Sequence, residues 1–575
     1  MPIRLNAIHC KLFKLSLIFG LVTIAGGCGS DTKQTADTIF FGEHILTMDD
    51  SEVEAVAIRG ERILATGSRA QMQSHTGTKT TLIELGEKAL LPGFMDTHGH
   101  LSGTARLADI INLAPPPAGD IASINQIVSR LHTEQAERPP EQGEWLVGFG
   151  YDDSLLQEKR HPSREDLDSI STTTPILIVH ISGHLGVMNS AALKASEISA
   201  ETQDPDGGLI RRQTNSREPN GVVEGAALNA VMGKRLSDIN PLEFATLIKR
   251  AFAYYASYGI TTVQDGGLPA KGIRGLKWMA FFKDFPIDVV AYRRLQPEEL
   301  TENIAIKTQT KYKNGFRVAG IKITIDGSPQ GRTAWLTKPY DQLPHGVEDD
   351  YVAYPTVDPE HFIAKTADLI RGGTPLMVHT NGDAAIDLLI KAVRESAANV
   401  SKTDHRTVAI HAQLMRADQL DAAAELGIVP SFFSSHTFYW GDWHLLSFGE
   451  ERGNNISPTG WATERNVTFT IHNDTPVVPP DMMRLVWATV NRTTRSGKTI
   501  GAQQKIDVMT ALRAITIDAA YQYFEENNKG SITPGKQADL VILERNPILA
   551  PPESLDKILV LKTIARGKTV FQLAN

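Results

Sequence analysis

The chain has only two cysteines in 575 residues, Cys10 and Cys28, and both lie near its start. That excludes a disulfide framework and a cysteine-based zinc site. It also lacks a basic stripe. The formal net charge is -8 and the isoelectric point is about 6.1, so no nucleic-acid partner is expected. The apolar run at 15–25 (LSLIFGLVTIA) is too short for a comfortable transmembrane helix. No internal repeat and no low-complexity tract is visible. What remains is ordinary globular composition, 41% hydrophobic and 22% charged, with enough length for a large core.

Arg4, Lys11 and Lys14 precede that apolar run, and the run closes with I-A-G-G-C at Cys28. Small residues before such a cysteine resemble a bacterial lipobox. The resemblance implies a leader over 1–28, cleavage before Cys28, lipid on Cys28 and a polar tether over 29–36. It implies an exported, membrane-anchored protein on the periplasmic side or at the cell surface. No Asp follows Cys28 directly, so the outer membrane is favoured for a Gram-negative source. A plain secretory signal or an uncleaved anchor is the alternative.

Residues 37–92 read as short strands with turns between them. Gly60-Glu61 between AVAIR and RILATG suits a hairpin turn. The final stretch, 526–575, alternates apolar and polar residues in the same way. The two ends are therefore expected to build one small β-sandwich from 37–93 and 526–575. Between them, 94–525 alternates strand-like runs with helical stretches. Strand candidates are PILIVH (175–180), GITTVQDGG (259–267), IDVVAYRR (287–294), VAGIKITIDG (318–327), TPLMVHTNGD (374–383), TVAIHAQ (407–413), IVPSFF (428–433) and VTFTIHND (467–474). Apolar strands alternating with helices predict an α/β fold with a parallel sheet, and so many units predict a closed (β/α)8 TIM-like barrel. Residues 138–240 break the rhythm with Gly, Pro and Asn, and read as an insertion over one barrel mouth.

Polar residues recur at the ends of these runs. In FMDTHGH, Asp96, His98 and His100 share parity, which on a strand places them on one face. Two imidazoles so placed at a barrel's carboxyl rim can reach one ion. His379 closes PLMVH, His411 closes TVAIH and Asp474 follows TFTIH. Lys322 stands inside a run that should be buried, where an unpartnered ammonium would cost several kcal/mol or lose its charge. A salt bridge to Asp326, which has matching parity, is one solution and the one the residues alone favour. Reaction with CO2 to a carbamate is the other.

The order H-x-H, strand Lys, strand-end His, strand-end His, late Asp resembles the amidohydrolase superfamily. LPGFMDTHGH, SGHLGVMNSAAL, DPDGGLI, GVVEGAA, IKITIDGS, VHTNGDAAID, IHAQ, HNDTPVVP and KGSITPGKQADLVILE narrow the resemblance to its family 3 branch, that of N-substituted formamide deformylase-like enzymes. The resemblance implies one or two divalent ions, zinc by preference. His98, His100 and Asp474 would hold one, His379 and His411 a second, with carbamylated Lys322 between them. It implies hydrolysis of a non-peptide C–N bond of a small molecule, with Asp474 as base and then acid. A deaminase or cyclic-amide hydrolase on the same site is the near alternative, and a non-catalytic binding lipoprotein the distant one. The chain departs from the branch with Asn473-Asp474 where Ser-Asp is frequent and His411-Ala412-Gln413 where His-Ala-Glu is frequent. His184, Glu224 and Asp326 are substrate-contact candidates, each with a structural alternative. HTFYWGDWH (436–444) suits either a lid or core packing. The expected partner is a small molecule, the membrane enters only through the lipid, and the oligomeric state is left open.

Overall fold

Eight apolar runs pair side by side in chain order, and each is too apolar to face water on either side. In the computed structural model they are β1 (Phe94–Met95), β2 (Ile260–Leu268), β3 (Asp288–Arg294), β4 (Phe316–Thr324), β5 (Leu376–Thr380), β6 (Val408–His411), β7 (Val429–Phe432) and β8 (Thr470–Ile471). All neighbours are parallel. The structure describes residues 34–574 apart from 108–109, 141–143, 184, 206–207, 237–240, 305–306, 345–346 and 398–403. Cys28, the leader, most of the tether and His184 therefore lie outside the described residues.

Alternation along the strands sorts the core. Val290, Tyr292, Met377, Ile410 and Val429 fill the barrel interior above Ala519, Ala520 and Tyr523, which plug its floor. Val289, Ala291, Leu376, Val378 and Ala409 face the surrounding helices. The helix Pro359–Arg371 shows why such a segment is helical. Asp358 caps it by accepting the His361 N–H, and proline takes the first turn. Phe362, Ile363, Leu369 and Ile370 then bury one stripe against the sheet. Each such side chain contributes about 1.5–3 kcal/mol on burial.

The barrel's first and last strands are joined by individual hydrogen bonds. Thr97 Oγ1 donates to Ile471 O at 3.1 Å, and the Asp474 N–H donates to His98 O at 3.2 Å. This seam lies where the chemistry is.

The two chain ends share a second body. One sheet has the order Arg62–Gly67, Ala55–Arg59, Thr38–Phe41, Thr81–Glu84; the other Lys568–Gln572, Val560–Ala565, Leu540–Leu543, Ala89–Pro92. Phe40, Val56, Ile58 and Leu90 from the early part meet Ile532, Leu540, Ile542 and Ile564 from the late part in one core. Arg59 pairs with Arg62 across a tight turn in which Gly60 has φ 56°, the left-handed conformation this hairpin needs.

The insertion has a sheet of its own, which starts earlier in the chain than residue 138. It forms a six-stranded mixed sheet, and its strands begin at Ile111 and end at Gly225. The strands are short and irregular, with register shifts at Phe149/Tyr151 and Ile210/Arg212. Ile181 and Phe149 pack against Phe433, Tyr439 and Trp440 above the barrel mouth. Tyr439 and Trp440 are buried there, so HTFYWGDWH is packing between the insertion and the barrel.

Candidate metal centre

The rim of the barrel collects the polar strand ends. The loop after β1 carries His98 and His100. A Cβ on Gly99 between them would lie 2.4 Å from Asp96 Oδ2, so only glycine fits. Burial and the charge of Asp474 raise the pKa of Asp96 well above that of an ordinary carboxyl.

His98 is fully buried. Its Nδ1 lies 2.7 Å from Gln264 Oε1 on β2. The Gln264 amide nitrogen donates to Thr97 O (2.7 Å) and to the Tyr523 hydroxyl (2.9 Å), which fixes its oxygen towards the ring. A carbonyl oxygen only accepts, so His98 Nδ1 carries the proton and Nε2 presents a lone pair. That lone pair faces Lys322 Nζ at 3.0 Å and Asp474 Oδ1 at 3.4 Å. A Cβ on Gly266 would be 2.2 Å from Gln264 Oε1 and 2.7 Å from His98 Nδ1, so this pairing also requires a glycine.

The same wiring recurs at His411. Thr97 Oγ1 donates to Ile471 O, so it accepts from Ser431 Oγ at 3.4 Å. Ser431 Oγ then accepts from His472 Nδ1 at 3.0 Å, and His472 Nε2 accepts from His411 Nδ1 at 3.1 Å. His411 Nε2 is left as a lone pair, 4.0 Å from Asp474 Oδ2. Burial pushes His472 down to about 3 and His411 well below the usual imidazole value, so both rings are neutral at pH 7. Strand parity alone would turn His411 away from the interior, because Val408 and Ile410 already point inward. His411 has φ 72° and Ala412 φ 44°. This left-handed kink, costing about 1–2 kcal/mol per residue, turns the ring over the mouth.

His379 is the third ring. Its Nδ1 faces Asp326 Oδ1 at 3.0 Å. Asp326 also accepts from the backbone N–H groups of Asn381 (3.1 Å), Gly382 (2.8 Å) and Trp335 (3.3 Å). The expected salt bridge from Asp326 to Lys322 therefore does not form. β4 ends at Thr324, and beyond it parity no longer aims Asp326 inward. Asp326 is 1% exposed and committed to His379. The His379 and His411 ring centres lie 4.6 Å apart.

Lys322 stays buried beside His98, and burial pushes its ammonium down to about 7 against the pull of Asp474. Burial alone would raise Asp474, but the neighbouring His100 ring and the Lys322 charge outweigh it and hold its pKa below the usual carboxylate value. His100 Nε2 lies 3.3 Å from Asp474 Oδ1, with the ring one-third exposed to the mouth. Asp474 itself has φ 51°. The structure thus brings together His98, His100, Lys322, His379, His411 and Asp474.

Ligand-type atoms of His98, His411 and Asp474 lie within 4.8 Å of one another. In this group, imidazole lone pairs face a carboxylate whose Oδ1 is buried with no hydrogen-bond partner. Acceptors facing acceptors in a buried site are repulsive until a cation sits between them, so these residues fit a divalent metal.

A second group, Asp152, Asp153 and His180, meets the same distance limit inside the insertion. Here the His180 Nδ1 accepts the Ser182 N–H at 3.1 Å, so Nε2 carries the ring proton and faces Asp153 Oδ1 at 3.2 Å. Asp152 accepts from Ser154 N–H (3.0 Å) and from Trp440 Nε1 (3.0 Å). Glu224 lies on the strand Pro219–Gly225 and is ion-paired with Arg211.

The sequence reading missed Gln264 and the orienting role of His472. Gln264 left a signal, since it shares parity with Thr262 inside an otherwise apolar run. Beside the centre lies a cavity of about 390 Å³, lined by Leu107, Phe149, Ile181, Tyr254, Thr475 and Val478 among others.

The sequence model of the amidohydrolase family matches residues 81–571. An N-substituted formamide deformylase of Arthrobacter pascens is 25% identical over 550 residues, covering 93% of this chain and 98% of its own. The Arabidopsis thaliana protein LONG AFTER FAR-RED 3 is 27% identical over 545 residues, covering 91% of this chain and 89% of its own. A metal-dependent hydrolase structure from Pyrococcus horikoshii OT3 superposes with a TM-score of 0.70 at 22% identity, over 90% of this chain and 99% of that one.

Proposed function

The chain belongs to the amidohydrolase family and is a metal-dependent hydrolase, and from that premise we propose that it cleaves an amide-type, non-peptide C–N bond of a small molecule. The observation that carries the proposal is the common polarity of two rings. His98 and His411 each commit Nδ1 to a partner behind them and turn Nε2 towards Asp474, while His379 commits Nδ1 to Asp326 and has its Nε2 3.3 Å from Asn381 Nδ2.

In this proposal, His98, His100 and Asp474 would hold one cation and His379 and His411 a second. Lys322, as a carbamate, would supply a further anionic ligand, the cations being zinc by preference. A bound divalent cation supplies Lewis acidity, lowering the pKa of water and polarising a carbonyl oxygen. Asp474 is ionised at neutral pH. It accepts the proton of the attacking water and returns it to the leaving nitrogen. With a pKa near 7, Lys322 exists in part as free amine. That amine adds CO2 with formation of one N–C bond and release of one proton. The neighbouring cavity suits an apolar substituent on the substrate, within the size range of small-molecule sites. We also infer that the segment preceding Cys28 is an export leader and that Cys28 is lipidated.

The test is metal content per chain, by plasma mass spectrometry, on protein purified without chelator and with bicarbonate. Near two ions per wild-type chain, with at least one lost in Lys322→Ala, supports the bridged site. Full retention in Lys322→Ala removes the bridge. A panel of formamides, N-acyl amines and cyclic amides should yield an acid and an amine. Ammonia from an aminated heterocycle would establish the deaminase alternative instead.

A further inference from the structure

The outer face of one barrel helix is the wrong composition for water. The helix Ala270–Phe282 buries Leu276 and Ala280 against the barrel core, with Ile273 packed beside them. Its opposite face carries Trp278, Phe281 and Phe282, which are 59%, 61% and 67% exposed. They form one cluster, with Phe282 4.9 Å from Trp278 and 5.1 Å from Phe281 between ring centres. Clustered large aromatics at such exposure mark an interaction surface, whereas single ones do not.

Around the aromatics cations outnumber acids. Arg274, Lys277, Lys283 and Lys313 are all exposed at the patch, and Lys313 Nζ lies 5.1 Å over the Phe281 ring. Asp284, the adjoining acid, is drawn to Arg566 at 3.4 Å. A chain of net charge -8 thus concentrates cations where it exposes aromatics. A cleft of about 300 Å³ runs between the helix and the Gln309–Lys313 side.

A run of contacts links the patch to Asp37, where the tether joins the fold. Asp37 accepts the Gly60 N–H at 2.6 Å. Gly60 O abuts Gly567, where a Cβ would come within 2.1 Å of it. The adjoining Arg566 is bonded to Phe285 O and paired with Asp284, immediately after Phe282. Nine residue steps separate Cys28 from Asp37, so a lipid on Cys28 would hold Asp37 within about 30 Å of the bilayer.

We propose that the Trp278/Phe281/Phe282 face docks on a lipid bilayer carrying anionic headgroups. The rings insert at the headgroup boundary and Arg274, Lys277, Lys283 and Lys313 contact the anionic surface. Each Lys or Arg there strengthens binding about fivefold. The proposal goes beyond the hydrolase reading. It draws on the lipidated Cys28 only for orientation, and its test omits the lipid.

Every described strand and helix falls within residues 38–572, so a chain begun at Gly29 keeps the fold. That protein is floated with phosphatidylglycerol/phosphatidylcholine vesicles and with pure phosphatidylcholine vesicles. It should float with the anionic vesicles at least tenfold better, and lose this in Trp278→Ser/Phe281→Ser/Phe282→Ser. Arg274→Gln/Lys277→Gln should weaken it by about twentyfold, and high salt should weaken the wild type. Circular dichroism and metal content of both variants should match the wild type. No flotation, or equal flotation of wild type and triple variant, overturns the proposal. So does a dimer in sedimentation velocity that dissociates in the triple variant, because the occupant is then a second copy. Labelling of the full chain in cells with a lipid analogue reports Cys28 separately, so failure of the anchor and failure of the patch are distinguishable.

Discussion

Two regions of this protein hold the same ingredients and differ in polarity. The rim gathers His98, His411 and Asp474, and the insertion gathers His180, Asp152 and Asp153, each within the same 4.8 Å limit. At the rim, Gln264 and His472 accept ring protons from behind, so Nε2 lone pairs face the carboxylate. In the insertion, the Ser182 N–H is donated to His180 Nδ1, so a proton faces Asp153. The first arrangement is unfinished without a cation. In the second, a ring proton already faces the carboxylate. Ligand types and distances do not by themselves specify a metal centre; the atom behind each ring does.

The sharpest test of this contrast is at the two carboxylates. Asp474→Asn should lower turnover by about a thousandfold, within the usual range for a general base. Asp152→Asn should leave turnover within tenfold. An Asp474→Asn enzyme with wild-type turnover would remove it as proton carrier.

The next effect is on acid stability. Burial, opposed by Asp153, pushes His161 in the insertion down to about 4. A ring that is neutral when folded and ordinary when unfolded binds fewer protons in the folded state. Stability is then complete above pH 6.5 and lost as the pH falls from 6.5 to 4, by up to about 3 kcal/mol. Denaturant melts of metal-free protein should show this slope, and His161→Gln should flatten it.

Rewiring the rim should cost less. Gln264→Leu or His472→Phe should weaken metal affinity by about 10–100-fold, read by competition with a chromogenic chelator. The smallest expected effect is none: Ser182→Ala should leave metal binding unchanged, and a change would mean the insertion group takes part.

Much of the centre was readable because strand ends are readable. His98, His379, His411 and Asp474 each terminate an apolar run, and a buried lysine in VAGIKITIDG stands out against its neighbours. The barrel followed from the same runs, β2 through β7. The polarity was not readable, because Gln264 and His472 act on residues 166 and 61 positions away. Asp326 was misassigned because a parity rule was extended past the last residue of β4. His411 points inward against parity through a backbone kink that no side-chain pattern reports. The insertion broke the barrel's rhythm because its strands are short, bulged and punctuated by Gly221 at φ 100°.

The seam between β1 and β8 has a consequence in time. Asp474 bonds its backbone to His98 across that seam, so the donor set is assembled from two ends of a very long stretch of chain. During synthesis the early histidines emerge long before their carboxylate, and closing so large a loop comes late in folding. Ion capture then selects only chains whose last barrel strand has docked, and it stabilises those chains alone. Loading thereby serves as a completeness check: a molecule stalled one strand short keeps its histidines but cannot become an enzyme.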